Sequence, residues 1–403
     1  MTRPEIRPGP ALLSGIERGP SLAAHREQYG PLARPDLEGL LTLVDEGVLR
    51  GRGGAAFPFA TKLRAAARRR RAVVVVNLAE GEPASSKDTA LALARPHLIL
   101  DGAVATALAL GAREVHVVLP VERPSVGTAV EAALAERDDR VRFRTHRTAG
   151  RFVSGQARAV VELVSGRENH PVTAWQPEAV AGVGGRPTLL SNAETWAVVG
   201  RLVQLGRAGY TAIGTREEPG TTLLTWSTWD DGLPSRPLVL EVPFGSRFRD
   251  VLPVAAHGSP VLLGGYHGSW VTWPTLAAAR VSVPGLRRLG SPLGAGVLIT
   301  PLTCPVDLSL HVASYLAAQS TGRCGPCVNG LPALAEELRR AVQGDGDLDR
   351  VRELAGLVAG RGACAHPDGT ARLVRSLLDQ WGAEIAEHAA GGCTWPGRER
   401  VAS

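Results

Sequence analysis

Two groups of residues in this 403-residue chain have types and spacings that could do chemistry. The first is a glycine-rich stretch, LRGRGGAAFPFATK at 49–62. Gly51 and Gly53 allow turns that a Cβ would prevent, and they leave amide N–H groups free to face an anion. Because Arg52 and Lys62 supply positive charge, the stretch suits a phosphate group. The alternative is a tight turn that opens an ordinary helix, since the spacing matches neither a P-loop nor a G-x-G-x-x-G fingerprint.

The second group is a set of cysteines near the C-terminus. Cys324 and Cys327 form a C-x-x-C on a loop that opens a helical pattern, and Cys364 follows further along. Thiolates on such a loop can converge on one iron cluster, although a lone C-x-x-C also occurs at redox-active and zinc half-sites. Five cysteines, an odd number, argue against a disulfide framework. Cys304 follows a β-type run and is most simply a buried core thiol.

The elements that must position these groups alternate between strand and helix. Val73–Val76 is a valine run typical of a strand buried on both faces, and an Ala-rich helix follows at Leu98–Leu110. Further strands at 114–120 and 141–146 flank another helix, so the pattern predicts an α/β domain with a parallel sheet. Ligands of such sheets bind at the carboxyl ends of the strands, where Asn77 lies.

The texture of the sequence changes twice after this domain. From about Glu217 it consists of short β-rich stretches broken by Gly and Pro, and from Val306 it is helical and rich in Ala and Leu. We therefore expect five segments along the chain. They are an N-terminal extension and helix at 1–48, an α/β domain at 49–215, a β-rich domain at 216–300, a helical domain at 301–393 and a short disordered tail at 394–403.

Charge and hydropathy restrict the classes of partner. The formal net charge is +6 and the pI is about 9.4, but the basic residues are scattered and only four residues are Tyr. This composition does not favour nucleic-acid binding, which needs basic patches and stacking platforms. No apolar run approaches the ~20 residues that span a bilayer, and no segment suits a signal peptide. The sequence predicts a cytoplasmic protein without a membrane span.

Several motifs in colinear order resemble one known family. The family comprises the flavoprotein subunit of respiratory NADH:quinone dehydrogenase and the flavin subunits of NAD-linked hydrogenases and formate dehydrogenases. The matching motifs, which span roughly residues 45–385, are the 49–62 stretch, VVVVNLAEGEPASSKD, RPHLILDGAVATALALGA, GRPTLLSNAETWA, TGRCGPCVNG and GACAHPDG. The resemblance implies a Rossmann-like FMN domain with a parallel sheet, a small β-grasp domain and a C-terminal helical iron–sulfur domain.

The resemblance also implies roles for single residues. The residues that it implies to bind FMN are Gly51, Arg52, Gly53, Lys62, Asn77, Glu80, Gly155, Asn192 and Thr195. Among them, Glu80 is also assigned to catalysis at the isoalloxazine edge, and Arg52 is expected to shape the loop. Phe57 and Glu82 would contact NADH if it binds, and Cys324, Cys327 and Cys364 would bind iron. For Asn192, an Asx turn or a helix cap is the alternative.

The sequence departs from the family pattern where the dinucleotide would bind. Ala79 stands in place of an aspartate, and Gln156 and Ala157 stand in place of paired glutamates. Ala65 replaces one aromatic of an adenine clamp, and the segment Pro171–Trp175 lacks the basic residues of the family. These losses predict that NADH binds poorly, or that a different donor supplies electrons.

The cluster loop departs from the pattern as well, because Thr321 occupies the place of its first cysteine. A hydroxyl is a much poorer iron ligand than a thiolate. Three hypotheses remain open. A [4Fe–4S] cluster could persist with Thr321, His366, Cys393 or an exogenous fourth ligand, a [3Fe–4S] cluster could need only three thiolates, or the cluster could be lost.

The sequence therefore predicts an oxidoreductase subunit that depends on FMN and an iron–sulfur cluster, with NAD(H) as a candidate ligand. It would relay electrons from a two-electron donor to a ferredoxin-like or other iron–sulfur protein within a hetero-oligomer. The alternative is a non-catalytic relative kept for assembly or docking. The donor, the acceptor and the oligomeric state stay open at this stage.

Overall fold

The computed structural model describes residues 3–45 and 47–395. Two β-sheets are followed by a bundle of helices, and most of the predicted tail lies outside the described residues. The strands are β1 (Glu5–Ile6), β2 (Val73–Asn77), β3 (Glu114–Leu119), β4 (Arg142–Arg147), β5 (Thr188–Asn192), β6 (Thr221–Asp230), β7 (Leu233–Pro234), β8 (Leu238–Pro243), β9 (Val261–Leu263), β10 (Ser269–Val271) and β11 (Val297–Pro301). The helices are α1 (Leu22–Tyr29), α2 (Leu37–Leu43), α3 (Phe59–Ala67), α4 (Lys87–Ala94), α5 (Pro96–Ala109), α6 (Pro124–Ala135), α7 (Ala157–Val164), α8 (Ala193–Thr211), α9 (Phe248–Val251), α10 (Trp273–Ala278), α11 (Val283–Arg288), α12 (Pro305–Ala318), α13 (Leu331–Gln343), α14 (Leu348–Val358) and α15 (His366–Ala389).

The first sheet is entirely parallel, with strand order β4-β3-β2-β5. All residues of β2 are buried, as a central strand between helical layers requires. In the pairing of β2 with β5, Asn77 lies opposite Asn192. The carboxyl ends of two neighbouring strands therefore present two amide side chains side by side, as the sequence analysis expected of this edge.

Helices α5 and α8 pack closely against one face of this sheet. A Cβ on Gly102 would lie 2.0 Å from the carbonyl oxygen of Trp196, and one on Gly200 would lie 2.4 Å from the carbonyl oxygen of Leu98. Both neighbours are backbone atoms, which cannot rotate away. Because these two positions have no side chain, α5 and α8 can pack at this short distance.

We predict that Gly102→Ala destabilises the fold by about 1–3 kcal/mol, because the added methyl group must force α5 and α8 apart. Gly382→Ala is the matched control, since it lies in helix α15 with open space around the Cβ position. The control is expected to be neutral or to stabilise by about 0.5–1 kcal/mol. Urea unfolding measures both changes as a shift of the midpoint at constant slope. Equal midpoints for the two variants would contradict the prediction.

The second sheet is mixed, with strand order β1-β8-β6-β11-β9-β10 and β7 paired with β6. Strands β6 and β8 form an antiparallel pair, and β11 returns parallel to β6 at the centre. Strand β1 adds to the edge, parallel to β8. The buried carboxylate of Glu241 on β8 accepts hydrogen bonds from the amides of Ala11, Leu12 and Leu13. The N-terminal segment, predicted from the sequence as an extension, therefore contributes strand β1 to the second sheet and is bound to β8 through Glu241.

The C-terminal region is helical, and its core is formed by leucines and valines of α12 to α15. The cysteine loop lies between α12 and α13 and closes with a π-helical turn at Pro326–Gly330. The predicted fold class is thereby confirmed: a parallel-sheet α/β domain, a second β-rich domain and a helical C-terminal domain. Among the described residues, no single helix has the length and apolar character to cross a membrane. Helices α4 and α5 reach that length and apolar character only when they are counted together, and they meet at a sharp bend.

Candidate functional site

The glycine-rich loop ahead of α3 is closed by its own backbone. Arg50 pairs with Pro58 in an antiparallel bridge, and the amide of Gly51 donates to the carbonyl of Phe57 at 2.8 Å. Within this loop Gly54 has φ +93° and Ala56 has φ 52°. The left-handed conformation of Ala56 is uncommon for a residue with a side chain. The loop is therefore held in a specific strained shape, as is frequent at ligand sites.

The inner edge of the loop offers unused donors. The amides of Gly53, Gly54 and Ala55 donate to no residue that the structure describes. An ideal Cβ on Gly53 would lie 3.4 Å from the Cβ of Asn192, so the loop runs directly over the end of β5. Successive free N–H groups in a loop of this kind form a concave anion site. The predicted phosphate cradle is therefore compatible with the geometry.

Lys62 lies on α3 beside this cradle. Its Nζ donates to Oε1 of Glu178 at 3.0 Å and to the carbonyl of Leu190 at 3.3 Å. Burial acts to raise the pKa of Glu178, but Lys62, the backbone amide of Glu178 and Arg158 together outweigh it, and the net shift is downward. Lys62 is therefore a fixed cation at the carboxyl edge of the sheet, partly neutralised by one carboxylate.

Arg52 points away from the cradle into the junction of the two sheets. Its guanidinium donates to the carbonyl of Thr221 at 3.1 Å and lies 4.5 Å from the ring centre of Phe244. Its amide donates to Oγ1 of Thr195 at 2.9 Å. The expectation that Arg52 shapes the loop agrees with this placement, whereas the expectation that it supplies charge to a phosphate does not.

Asn77 and Asn192 are both held by hydrogen bonds at the ends of their strands. Nδ2 of Asn77 donates to the carbonyl of Gly155 at 2.8 Å. Oδ1 of Asn192 accepts from the amide of Glu194, which caps α8, and from Nζ of Lys87 at 2.9 Å. The helix cap considered for Asn192 is therefore present. Asn192 also lines a cavity of about 760 Å³ beside the glycine-rich loop.

Gly155 is required by a close approach of two backbones. A Cβ at this position would lie 2.4 Å from the carbonyl oxygen of Ala79. The glycine allows the turn before α7 to pack against the segment that leaves β2. This contact brings Gln156 and Ala157 to the rim of the same cavity.

Glu80 does not line that cavity. Its buried carboxylate forms a 2.7 Å ion pair with Arg123 and accepts from the hydroxyl groups of Ser85 and Thr89. Burial opposes its ionised form, yet Arg123 and these hydroxyl groups hold the pKa of Glu80 below its usual range. The expected contact of Glu80 with a flavin edge is thus not supported. Its contacts are those of a group that fixes the segment between β2 and α4.

Glu82 is the carboxylate that faces the cavity in the described part of its lining. It accepts hydrogen bonds from the amides of Ala84 at 3.2 Å and Tyr266 at 2.9 Å. Burial outweighs these contacts and raises the pKa of Glu82 to about 7. A carboxyl group in this position exchanges its proton close to neutral pH.

We predict a pH dependence of stability from Glu82. Its pKa in the folded chain is about 7 and its ordinary value is 4.5. Between these values the folded chain holds a proton that the unfolded chain has released, so the free energy of unfolding decreases as pH rises through this window. The full decrease is about 3 kcal/mol. When urea unfolding is measured at several pH values, the free energy of unfolding should change less with pH for Glu82→Gln than for the unmodified chain. Burial also raises the pKa of Asp88 to about 6, and the pH dependence that Asp88 contributes is present in both proteins. Parallel profiles would contradict the prediction.

One cavity of about 760 Å³ unites most of the residues predicted for cofactor binding. This volume lies within the ~300–1,000 Å³ range of small-molecule sites. The predicted residues in its wall are Gly51, Gly53, Phe57, Lys62, Asn77, Glu82, Gly155, Asn192 and Thr195. The same cavity is also lined by Cys364 and Ala365, which precede α15, and by His366 at its first position. The phosphate cradle and the cysteine region therefore border the same space.

The three predicted cluster cysteines are brought together by the fold. The amide of Ala363, beside Cys364, contacts Sγ of Cys324 at 3.5 Å. Burial, together with Cys364 and Cys324, raises the pKa of Cys327 to about 12. Burial raises the pKa of Cys364 as well. A metal would compensate the charge of thiolates held this close together, which is the chemistry of an iron–sulfur site.

Two of the candidates for the fourth cluster ligand, His366 and Cys393, have other partners. Both ring nitrogens of His366 have hydrogen-bond partners, His267 at 3.0 Å and the carbonyl of Leu316 at 2.9 Å, so His366 does not offer a free nitrogen. Cys393 lies beside Cys304, Glu384 and His388 instead of the C-x-x-C loop. Neither prediction is supported, because long-range pairing directs both side chains to other partners. Thr321 and an exogenous ligand remain.

The positions of the expected NADH contacts are also defined. Phe57 is half exposed at the rim of the cavity, where an aromatic ring could stack on a base. Oε1 of Gln156 accepts from the amide of Arg158 at 2.8 Å and caps α7. Trp175 is fully exposed and lies outside the cavity wall.

Three cavity residues that carry charge or an imidazole were not predicted from the sequence, namely Arg287, Arg372 and His267. Arg287 donates to the carbonyl of Ala55 in the glycine loop at 2.7 Å, and Arg372 donates to the carbonyl of His267 at 2.8 Å. Burial holds the pKa values of His267 and His366 below their usual range, so this pair is neutral. No local motif marks Arg287, Arg372 and His267, because they reach the cavity from the β-rich and helical domains.

Comparisons with known proteins agree with this geometry. Residues 44–201 match the family model described as the Nuo51 FMN-binding domain, and residues 307–388 match the NADH-ubiquinone oxidoreductase-F iron-sulfur binding region. The chain is 30% identical over 410 residues to an NADH-quinone oxidoreductase subunit of Rhizobium meliloti (strain 1021), covering 94% of each protein. It is 29% identical over 384 residues to the corresponding NADH-quinone oxidoreductase subunit of Streptomyces coelicolor, covering 88% of this chain and 84% of the relative. A crystal structure of NAD+-reducing [NiFe]-hydrogenase in the air-oxidized state aligns with TM-score 0.81 and 25% identity, over 96% of this chain and 68% of that chain.

Proposed function

Because the chain belongs to the oxidoreductase family of FMN-binding NADH dehydrogenase subunits, we propose that it passes electrons from a two-electron donor through FMN to an iron–sulfur cluster. The FMN would occupy the 760 Å³ cavity, with its phosphate in the 50–58 loop. The cluster would be held by Cys324, Cys327 and Cys364.

One observation supports this proposal most strongly: residues of the phosphate cradle and one of the predicted cluster cysteines line the same cavity. Gly53, Asn192 and Cys364 all line this cavity. A ligand bound at the phosphate cradle would therefore occupy the same cavity that Cys364 borders from the helical domain. When bound, the flavin supplies two-electron chemistry and the cluster supplies one-electron transfer.

The residues of the chain would hold and orient these groups. The free amides of Gly53, Gly54 and Ala55 would bind the phosphate oxygens, and Lys62 would balance their charge. Asn77 and Asn192, fixed by their own hydrogen bonds, would present amide groups to the ring edge and ribityl chain. Glu82 would hold a proton at its carboxyl group near neutral pH.

We further propose that recognition of NADH is weakened in this chain. Ala79, Gln156 and Ala157 replace carboxylates of the family pattern, and the last two line the cavity. Each lost charged hydrogen bond to a ribose hydroxyl costs roughly 1.5–3 kcal/mol. The natural donor is then either NADH at high concentration or another two-electron donor of similar chemistry.

For the acceptor we propose a ferredoxin-like or other iron–sulfur protein in a hetero-oligomer. The relatives described above are subunits of larger oxidoreductases. Near the cluster thiols, Arg323 and Val328 are exposed and provide a surface through which an electron could leave.

FMN titration of the flavin-free chain tests the proposed cradle. Lys62→Met should weaken FMN binding by about 10–100-fold, because a charged contact to the phosphate is lost. Arg69→Met is the matched control, since Arg69 is exposed beyond the end of the same helix. Equal FMN affinity of both variants, or no FMN binding by the unmodified chain, would contradict the proposal.

A further inference from the structure

A second group of metal-ligating side chains lies apart from the proposed cluster cysteines. It consists of Cys304, Glu384, His388 and Cys393, whose ligand atoms all lie within 4.8 Å of one another. Cys304 is buried, and the side chains of Glu384 and His388 are 7% and 6% exposed. Sequence analysis treated Cys304 as a core thiol, and the FMN and cluster proposal uses none of these four residues.

Local structure explains how the four side chains meet. Cys304 precedes the first turn of α12. Glu384 and His388 are four residues apart on α15, so they share one helix face. Beyond the end of α15 the chain turns at Gly391, with φ +79°, and Cys393 returns toward this face. The amide of Thr394 donates to Oε1 of Glu384 at 2.9 Å and holds the returning segment in place.

The distances suit a single ion. Sγ of Cys304 lies 3.3 Å from Nε2 of His388 and 3.9 Å from Oε1 of Glu384, and the last two atoms are 3.4 Å apart. For tetrahedral Zn²⁺, bond lengths of ~2.3 Å to sulfur and ~2.0–2.2 Å to nitrogen or oxygen place neighbouring ligand atoms about 3.3–3.8 Å apart. The cysteines of a cubane cluster bind different iron atoms, so they need not converge on one point as these ligands do.

We propose that Cys304, Glu384, His388 and Cys393 bind one zinc ion with a structural role. Two thiolates, one imidazole and one carboxylate complete a tetrahedral shell, and a closed shell is typical of structural zinc. The ion would join the start of α12 to the segment after α15, the first and last helices of the C-terminal domain. It would thereby fix the domain that carries the C-x-x-C loop. This proposal does not depend on the FMN and cluster proposal.

Metal analysis of the full chain tests the site, with zinc and iron measured in the same sample. The unmodified chain should retain about one zinc ion through dialysis against a weak chelator. Cys304→Ser and His388→Gln should each lower retained zinc at least about tenfold while iron bound at Cys324, Cys327 and Cys364 stays constant. Cys327→Ser is the matched control and should lose iron but keep zinc.

A second measurement covers variants that fail to fold. Co²⁺ exchanged into the unmodified chain should produce the visible absorption of a tetrahedral site with thiolate ligands, and added Zn²⁺ should abolish it. Three results would overturn the proposal. They are a folded chain that retains no zinc, zinc retention that Cys304→Ser and His388→Gln leave unchanged, and a disulfide between Cys304 and Cys393 in protein alkylated under anaerobic conditions.

Discussion

Micromolar NADH is expected to leave the flavin of the anaerobic holoprotein oxidised. Ala79, Gln156 and Ala157 stand where the family pattern has carboxylates, and we propose that those carboxylates contact ribose and nicotinamide. Two such losses at roughly 2 kcal/mol each weaken binding by about a thousandfold. Anaerobic titration with NADH, followed at the flavin absorption band, measures the effect. Prompt bleaching at micromolar NADH would contradict the account of the pocket.

Restoring the carboxylates should reverse the effect. The triple variant Ala79→Asp, Gln156→Glu, Ala157→Glu is expected to lower the NADH concentration needed for half-reduction by at least about tenfold. Its charge-matched control, Ala132→Asp, Ala135→Glu, Gln343→Glu, places the same number of carboxylates on exposed helix positions away from the cavity. If the two variants respond alike, net charge and not the pocket determines the affinity.

Removal of one cluster thiol is expected to abolish iron binding while FMN remains. Cys327→Ser replaces a buried thiol that lies close to both Cys364 and Cys324. Hydroxyl oxygen is a poor iron ligand, so bound iron should fall at least about tenfold. Cys393→Ser is the control, because Cys393 lies in the other group of ligands and should not affect cluster iron. Iron and FMN assays on the same samples measure both changes.

Substitution of Thr321 by cysteine is expected to strengthen iron binding. Thr321→Cys supplies the thiolate that the family loop has at this place, and should increase iron retained under chelator challenge by several-fold. EPR of the reduced and oxidised protein would show whether a three-iron signal is replaced by a four-iron signal. An unchanged iron content and an unchanged signal would indicate that Thr321 does not face the cluster.

Local patterns in the sequence were sufficient for the framework of the site. The valine run of β2 predicted a buried parallel strand, and the end of such a strand predicted where Asn77 would lie. The glycines ahead of Phe57 predicted a loop with free amides. The backbone contacts support this for Gly53 but not for Gly51, whose amide donates to the carbonyl of Phe57. These inferences succeed because each depends on residues that are neighbours in the sequence.

The remaining features depend on pairing over long distances in the chain. Arg123 reaches Glu80 from another part of the chain and turns a residue expected at the flavin into a buried ion pair. Arg287 and His267 enter the cavity from the β-rich domain. Cys304 and Cys393 meet only because α12 packs against α15. No local periodicity records such contacts, so sequence analysis could name the residues but not their partners.

The proposed electron-transfer function is tested by the FMN and iron content of one sample of the full chain, produced with ample riboflavin and iron and purified without oxygen. This function requires about one FMN and about three to four iron atoms per chain, with the flavin released on denaturation. A colourless protein that contains neither cofactor would contradict it and would favour an assembly or docking role.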